Sequence, residues 1–443
     1  MRKLRWTMAC AALVGAIAGL PATVVADELQ GTVTAGVGHT SNAGLASQDP
    51  EGSNLAELGL LLGWKALTAR GTSDVRADVT EIDYLGKRYG SEFNGALDAR
   101  LGATLVPEAL KWVFDDGLGT SRRDLQQAAG PENRETVNYV ATGPDGMVTL
   151  SSANRLRLGA RYARFDYQTS PRDNERYSGE LSVSHMLDSG LEASLNGRDE
   201  HVRYSKAQLQ AADYDLQRLF LALGSGKEQE HWRVALGGSR ADLRSGSQSG
   251  LYAEASFGRR VGARSSLTLD GGRQVTDAGG AFAQQRLLGT SLSSETLSIA
   301  TAATTFDSTY ARAGWDIAGR VTRLGVVGGW FNETYRSEPA SDRQRWQGEL
   351  HAMRQLGVRL TASSLLTYAF DNFRNVQGDA REFTGRIDLS WTLGSRLALV
   401  GSVERLRRTS ELAQGDVDED RVWLRLRFGA AMVRGVGAFG ALP

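Results

Sequence analysis

The sequence predicts an all-β fold: an antiparallel, up-and-down β-barrel that crosses a membrane. Three observations predict it. Apolar and polar residues alternate strictly within many segments, the connections between these segments are short and long in turn, and the chain begins with an export signal. The 443 residues include 52 glycines and only 8 prolines, a composition that permits curved strands.

The clearest alternation lies between residues 381 and 428. One face of its first segment carries Phe383, Ile387, Leu389, Trp391 and Leu393, and the other carries Glu382, Thr384, Arg386, Asp388, Ser390 and Thr392. Arg421, Arg425 and Arg427 alternate with leucines in the last segment. Because buried unpaired charge is very costly, arginines two residues apart need water on their side. The leucines need apolar surroundings, which lipid outside a wet barrel supplies.

The connections alternate in length from Tyr177 onward. Tight ones fall at 188–190, 224–226, 262–263, 321–322, 356–357 and 394–395, and longer polar ones at 169–174, 205–213, 245–249, 337–343, 371–380 and 409–420. In outer-membrane barrels the tight turns are periplasmic and the long loops external, so both termini are predicted to be periplasmic. A soluble β-sandwich, the alternative, has no reason to sort its connections in this way.

The strand number is predicted to be even and roughly 16–22. Residues 281–306, rich in Ser, Thr and Ala, fit either two strands or one long loop. Phe428 fits the aromatic residue that usually ends a barrel, yet 15 residues follow it. Either these residues form a tail or residues 433–439 add a strand.

The N-terminus predicts export. Residues 1–26 combine a positive start, an apolar stretch and small residues before Asp27, which is typical of a cleaved signal peptide. Residues 27–443 are then the barrel of a Gram-negative outer membrane. Cys10, the single cysteine, lies in the signal peptide, so the mature chain contains no disulfide. With 51 basic and 51 acidic residues, no basic excess indicates nucleic-acid binding.

Aromatic residues lie near many predicted strand ends, where they are expected to form interfacial girdles, although strands are rich in aromatics in any case. They are Tyr162, Phe165, Tyr167, Tyr204, Trp330, Phe331, Tyr335, Trp346, Tyr368, Phe370 and Trp391. Phe165 and Tyr167 fall on the arginine face of their segment. A bulge, or departure of the strand from the membrane, would explain this change of parity.

The polar faces predict a hydrated lumen. Its candidate lining residues are Arg155, Arg157, Arg161, Glu180, Glu192, Glu349, Arg386, Asp388, Arg421, Arg425 and Arg427. Charges of both signs beside hydroxyl groups suit a hydrated sugar chain or small polar solutes.

One region resembles a known family. Residues 112–167 contain Trp-Val-Phe-Asp-Asp from Trp112, Pro-Glu-Asn-Arg from Pro131, Gly143-Pro144 and Arg161-Tyr162. This run resembles the outer-membrane β-barrel proteins encoded with exopolysaccharide biosynthesis loci, including those associated with the PEP-CTERM system. The resemblance implies a role in the cell envelope near polysaccharide synthesis or export.

Enzyme signatures are missing from the sequence. It contains no Gly-x-Ser-x-Gly elbow and no His-Glu-x-x-His motif, and the acidic run 416–420 lacks calcium-loop spacing. Neighbouring acids such as Asp115 and Asp116 point to opposite faces of a strand. We therefore predict no catalytic residues, no cofactor and no metal.

The leading functional expectation is a porin-like barrel associated with exopolysaccharide biosynthesis or export. The alternatives are a general diffusion porin for small polar solutes and an outer-membrane enzyme acting on lipid or glycan. The expected partners are outer-membrane lipids, with polysaccharide and secretion components as further candidates.

Overall fold

Twenty antiparallel strands form one closed sheet. The structure, a computed structural model, describes residues 28–86, 89–187, 190–227, 229–287, 305–336, 338–376, 378–412 and 415–429. Each strand pairs with its neighbours in the sequence, and pairing of β1 with β20 closes the barrel. The strands are β1 Glu28–Thr40, β2 Ser53–Thr68, β3 Gly71–Tyr84, β4 Glu92–Val106, β5 Leu110–Arg122, β6 Arg134–Thr149, β7 Asn154–Tyr167, β8 Asn174–Met186, β9 Glu192–Tyr204, β10 Tyr214–Gly226, β11 Glu230–Leu243, β12 Gly246–Val261, β13 Ser265–Thr276, β14 Phe306–Ala318, β15 Thr322–Tyr335, β16 Arg343–Gln355, β17 Leu360–Phe373, β18 Asp379–Thr392, β19 Leu397–Ser410 and β20 Val417–Gly429.

The alternation of side chains separates an apolar outside from a charged inside. Leu389, Val403 and Leu424 are 48–59% exposed, whereas Arg343, Arg408 and Glu135 are at most 1% exposed. This is the reverse of a soluble protein, and a closed sheet leaves no backbone edge to satisfy in lipid. The predicted fold class, the even strand number and the outer-membrane location are therefore confirmed.

The two ends of the barrel differ in their connections. We call the end that holds the beginning of β1 and the end of β20 the turn end, and the opposite end the loop end. Most connections at the turn end are short, such as 69–70 and 262–264. The loop end carries most of the longer ones, including three short 3-10 helices and the helix α1, Ala278–Leu287, between β13 and β14. No helix in these ranges is long and apolar enough to cross a membrane.

Several boundaries differ from those predicted. The connection expected at 245–249 is a two-residue turn, because β12 begins at Gly246. The connections expected at 371–380 and 409–420 shorten to 374–378 and 411–416, since the flanking strands extend beyond the apolar alternation. Of residues 281–306, for which two strands or one long loop were predicted, 281–287 lie in α1 and Phe306 begins β14; residues 288–304 lie outside the described residues. The predicted signal peptide and residues 433–439 lie outside the described residues.

The seam that closes the barrel depends on a glycine. On the inner face of β1, Gly36 lies directly between Glu57 of β2 and Arg425 of β20. Arg425 reaches across it, and its Nε lies 3.0 Å from both carboxylate oxygens of Glu57. A Cβ on Gly36 would be only 2.8 Å from Cγ of Arg425. The missing side chain therefore permits an ion pair that spans three strands.

Candidate functional site

The candidate site is the lumen of the barrel. All the predicted lining residues lie on inner faces of strands: Arg155, Arg157 and Arg161 on β7, Glu180 on β8, Glu192 on β9, Glu349 on β16, Arg386 and Asp388 on β18, and Arg421, Arg425 and Arg427 on β20. Arg161 binds Asp145 of β6 at 2.6 Å. Arg386 binds Asp388 at 2.9 Å, and Ser402 donates to the same carboxylate. The structure thus brings most of the β18–β20 set into one network and leaves Arg155 and Arg157 apart from it.

The loop-end half of the lumen is dry and tightly paired. Arg343, 1% exposed, donates to Glu333 at 3.0 Å and lies 3.6 Å from Asp371. Arg345 binds the other oxygen of Asp371 at 2.8 Å. On the far wall, Arg172 binds the fully buried Glu135 at 2.6 Å. Buried charges in such number are tolerated because nearly all of them are paired and hydrogen-bonded.

The connection between β5 and β6 crosses the mouth of the barrel. From Gly117 to Arg122 every residue is buried, on both faces of the strand. A strand in a barrel wall exposes one face to lipid, so this end of β5 must be covered on its outward face as well. We call the residues that follow, 123–133, the mouth segment.

Contacts with the opposite wall hold the mouth segment in place. Arg122, just before it, binds Glu382 of β18 at 2.5 Å, although 260 residues separate the two in the sequence. Arg408 of β19 donates to the carbonyl oxygen of Gln126 at 2.6 Å. Leu125 packs in a buried cluster with Phe373, Ala380 and Leu412.

A single amide sets the shape of the mouth segment. Asn133 Nδ2 donates to the carbonyl oxygens of Asp124 and Ala128 at 2.8 and 2.9 Å, and its Oδ1 accepts from Asp124 N at 2.8 Å. Asn133 lies in the Pro-Glu-Asn-Arg run that carries the family resemblance. That run therefore closes a compact loop, so its residues have a structural role here.

The helix α1 lines the mouth from another side. Asp277 caps it by accepting from Gly280 N at 2.8 Å, and the same carboxylate binds Arg176 of β8 at 2.7 and 2.9 Å. A Cβ on Gly279 would be only 2.4 Å from Nη2 of Arg176, so glycine allows this approach. Phe282 then packs on the inner wall against Phe165 and Tyr335.

The turn-end half of the lumen is open to water by contrast. Lys65 and Asp74, both on its inner face, are 3.8 Å apart and 43% exposed. Asp316 is 52% exposed where it meets His351 at 3.3 Å. Because water competes for each of these groups, the pairs there are loose.

Five of the aromatic residues predicted for the membrane girdles are instead inside the barrel. Phe165, Tyr167, Tyr204, Phe331 and Tyr335 point inward, and Tyr162, Trp330, Trp346, Tyr368, Phe370 and Trp391 point outward. The pairing of β7 with β6 and β8 shows no bulge. The strand keeps its parity, and its inner face changes from arginine to aromatic where α1 covers it.

Sequence reasoning missed the buried charged residues at the loop end. Arg122, Asp277, Glu333, Arg343, Asp371 and Arg408 were not among the candidates. The inner-face parity of Glu349 extends back to Arg343, so counting along β16 could have found Arg343. No local pattern indicates that residues 117–122 are buried on both faces. Among the described residues no cluster of His, Cys, Asp or Glu could hold a metal ion.

The comparisons with known proteins assign this chain to no family. No protein-family model matches the sequence, and no curated protein matches it. Among solved structures, the siderophore receptor PirA from Pseudomonas aeruginosa is 12% identical, with 91% of this chain and 80% of that chain covered and a TM-score of 0.40. The copper transporter OprC is 12% identical, with 91% and 80% covered and a TM-score of 0.42. The FrpB iron transporter from Neisseria meningitidis is 8% identical, with 91% and 81% covered and a TM-score of 0.43. At these scores the similarity supports no inference about substrate or partner.

Proposed function

We propose that this protein is an outer-membrane channel that serves exopolysaccharide biosynthesis or export, and that its loop-end mouth is a gate. The observation that carries the proposal is the contrast along the lumen: the charged groups are exposed and loosely paired at the turn end, and buried and tightly paired at the loop end. Barrels of 16–18 strands leave an aqueous channel, so 20 strands enclose room for one.

The inner wall suits a hydrated polymer. Charges of both signs alternate with hydroxyl groups, as in the network of Arg386, Asp388 and Ser402. A neutral or weakly charged sugar chain exchanges hydrogen bonds with such a wall without meeting one dominant sign of charge. The resemblance of residues 112–167 to barrels encoded with exopolysaccharide loci points to the same class of cargo.

A general diffusion porin is the second candidate, and the mixed charge of the wall also fits it. The mouth segment argues against a pore that is permanently open, because it packs an apolar cluster and two arginine contacts across the entrance. The prediction that the chain is not an enzyme stays a prediction.

Gene deletion separates these functions. Loss of the protein should abolish or sharply reduce surface polysaccharide, and the wild-type gene should restore it. Uptake of small sugars into liposomes that contain the purified barrel should be slow. Unchanged surface polysaccharide together with fast sugar uptake would favour the porin instead.

The orientation has its own test. Epitope tags placed within 374–375 and at 207–208, which are exposed at the loop end, should be labelled on intact cells, because the loop end is expected to face outward. Labelling that needs permeabilised cells would reverse the barrel and place the gate on the periplasmic side.

A further inference from the structure

A groove of about 540 Å³ runs across the outer face near the turn end, in the wall formed by β17–β20. Its lining residues include Arg359, Leu389, Trp391, Leu399, Gly401 and Leu424. The groove is shallow and open toward the lipid side of the wall. A barrel wall evenly covered with side chains has no such recess, so some local feature of the sequence must produce it.

A glycine creates the recess. On the outer face, Gly401 of β19 stands in register between Leu389 of β18 and Leu424 of β20. No atom lies within 4 Å of the position its Cβ would occupy. Two leucines with an empty place between them form an apolar notch one strand wide. Such a notch has the width of a single hydrocarbon chain lying along the strand.

One end of the groove is polar. Arg359 lies in the turn before β17, exposed at the rim, and Trp391 lies 52% exposed beside it. Tryptophan favours the headgroup level of a membrane, and arginine binds phosphate through paired donors. An apolar trough that ends at a tryptophan and an arginine matches the layout of a phospholipid.

The turn-end rim around the groove is basic. Exposed cations lie in the turns that connect β10 to β19 or at the strand ends beside them: Lys227, Arg260, Arg264, Arg320, Arg323, Arg354, Arg359 and Arg396. The acids on this arc are fewer: Glu228 follows Lys227 in the sequence, Asp316 lies on the inner face of β14, and Glu230 lies 3.6 Å from Arg259. The first turns of the barrel, with Arg70, Glu108 and Lys111, carry both signs. This arc therefore attracts phosphate headgroups to the side of the barrel that has the groove.

We propose that the groove binds one phospholipid, with an acyl chain in the notch at Gly401 and the phosphate on Arg359. The chain buries its apolar surface against Leu389, Leu399 and Leu424. The guanidinium of Arg359 donates charge-assisted hydrogen bonds to the phosphate oxygens. This site is independent of what passes through the lumen.

Native mass spectrometry of the full-length, delipidated barrel in detergent tests the site. Phosphatidylglycerol should bind as a single tight adduct, and diacylglycerol with the same chains should bind more weakly because it lacks the phosphate. Arg359→Glu should weaken phosphatidylglycerol binding about tenfold, the loss of one charge-assisted contact, and leave diacylglycerol unchanged. Gly401→Leu should weaken the binding of both lipids.

The chain provides matched controls. Gly197 also stands on the outer face between two leucines, Leu181 and Leu219, with nothing within 4 Å of its missing Cβ. Gly197→Leu and Arg70→Glu should leave both affinities unchanged. Heat-modifiable mobility verifies that each variant is folded.

Three results would overturn the proposal. The first is that Arg359→Glu matches Arg70→Glu, or that Gly401→Leu matches Gly197→Leu. The second is a dimer that disappears in Gly401→Leu, which would make the face an interface between copies. The third is lipid binding that appears only after residues 430–443 are removed, which would make that segment the occupant.

Discussion

The two halves of the lumen carry the same types of charged residue, but the charges are buried in one half and hydrated in the other. At the loop end, Arg343, Glu333 and Asp371 are buried and locked together; at the turn end, Lys65 and Asp74 are loosely paired and hydrated. The strand alternation that places them is identical. The difference is what covers them: the mouth segment and α1 exclude water from one half and are absent from the other. The segments that cover an ion pair on the barrel wall therefore decide whether it is a buried structural contact or a hydrated group that a solute can reach.

The largest effect should follow removal of the mouth segment. Replacing residues 124–132 with a short Gly-Ser linker removes the Leu125 cluster and the Gln126 contact, so single-channel conductance should rise several-fold. Planar-bilayer recording measures this. Deleting residues 207–212, whose 3-10 helix buries no residue, is the control and should leave conductance unchanged. Equal conductance in all three proteins would show that the segment does not close the channel.

Loss of a buried arginine should destabilise the barrel strongly. Arg343→Ala leaves Glu333 and Asp371 without their shared cation in a dry site, and such a broken buried pair costs about 3–5 kcal/mol. Denaturant unfolding in lipid vesicles measures the free energy. A loss below about 1 kcal/mol would mean that water reaches this half of the lumen as well.

A charge placed on the lipid-facing side of a strand should have the next largest effect on stability. Leu389→Arg puts a charge on the lipid side of β18 and should cost roughly 2–4 kcal/mol, which lowers the amount of folded barrel. Ser390→Arg, the adjacent inner-face change, should fold normally and shift ion selectivity if the channel conducts. Heat-modifiable mobility and reversal potential read out the two effects. A silent Leu389→Arg with a misfolded Ser390→Arg would contradict the assignment of faces.

A mutation at the seam that closes the barrel should lower the free energy of unfolding by a smaller amount. Gly36→Val would force Arg425 away from Glu57, and overpacking of this kind costs typically about 1–3 kcal/mol. Unfolding in vesicles measures it against Gly31→Val, whose outer-face position has nothing within 4 Å. If the two variants are equally stable, the ion pair across β1 does not depend on the glycine.

The smallest effect should come from the turn end. Lys65→Ala removes a pair that is 43% exposed, so its cost should stay within about 1 kcal/mol. The same unfolding assay compares it directly with Arg343→Ala. A cost similar to that of Arg343→Ala would remove the distinction between the two halves.

The sequence by itself determined the barrel and its two faces. Alternation is a local property with a period of two residues, so the order of residues alone assigns Leu389 and Asp388 to opposite sides of the sheet. The rhythm of connections predicted the order of strands for the same local reason. Strand ends were predicted less well, because strands such as β20, which begins at Val417, extend beyond the apolar alternation into sequence typical of a polar loop.

Only the tertiary structure decided which segments pack across the mouth. The contacts that hold them there join residues far apart in the chain, such as Arg122 with Glu382 and Arg176 with Asp277. Residues 123–133 are polar enough to be taken for a solvated loop, and Phe165 and Tyr335 are suited to a lipid girdle. Whether such residues are wet, dry or in lipid depends on which other segment covers them, and no local pattern of charge or hydropathy contains that information.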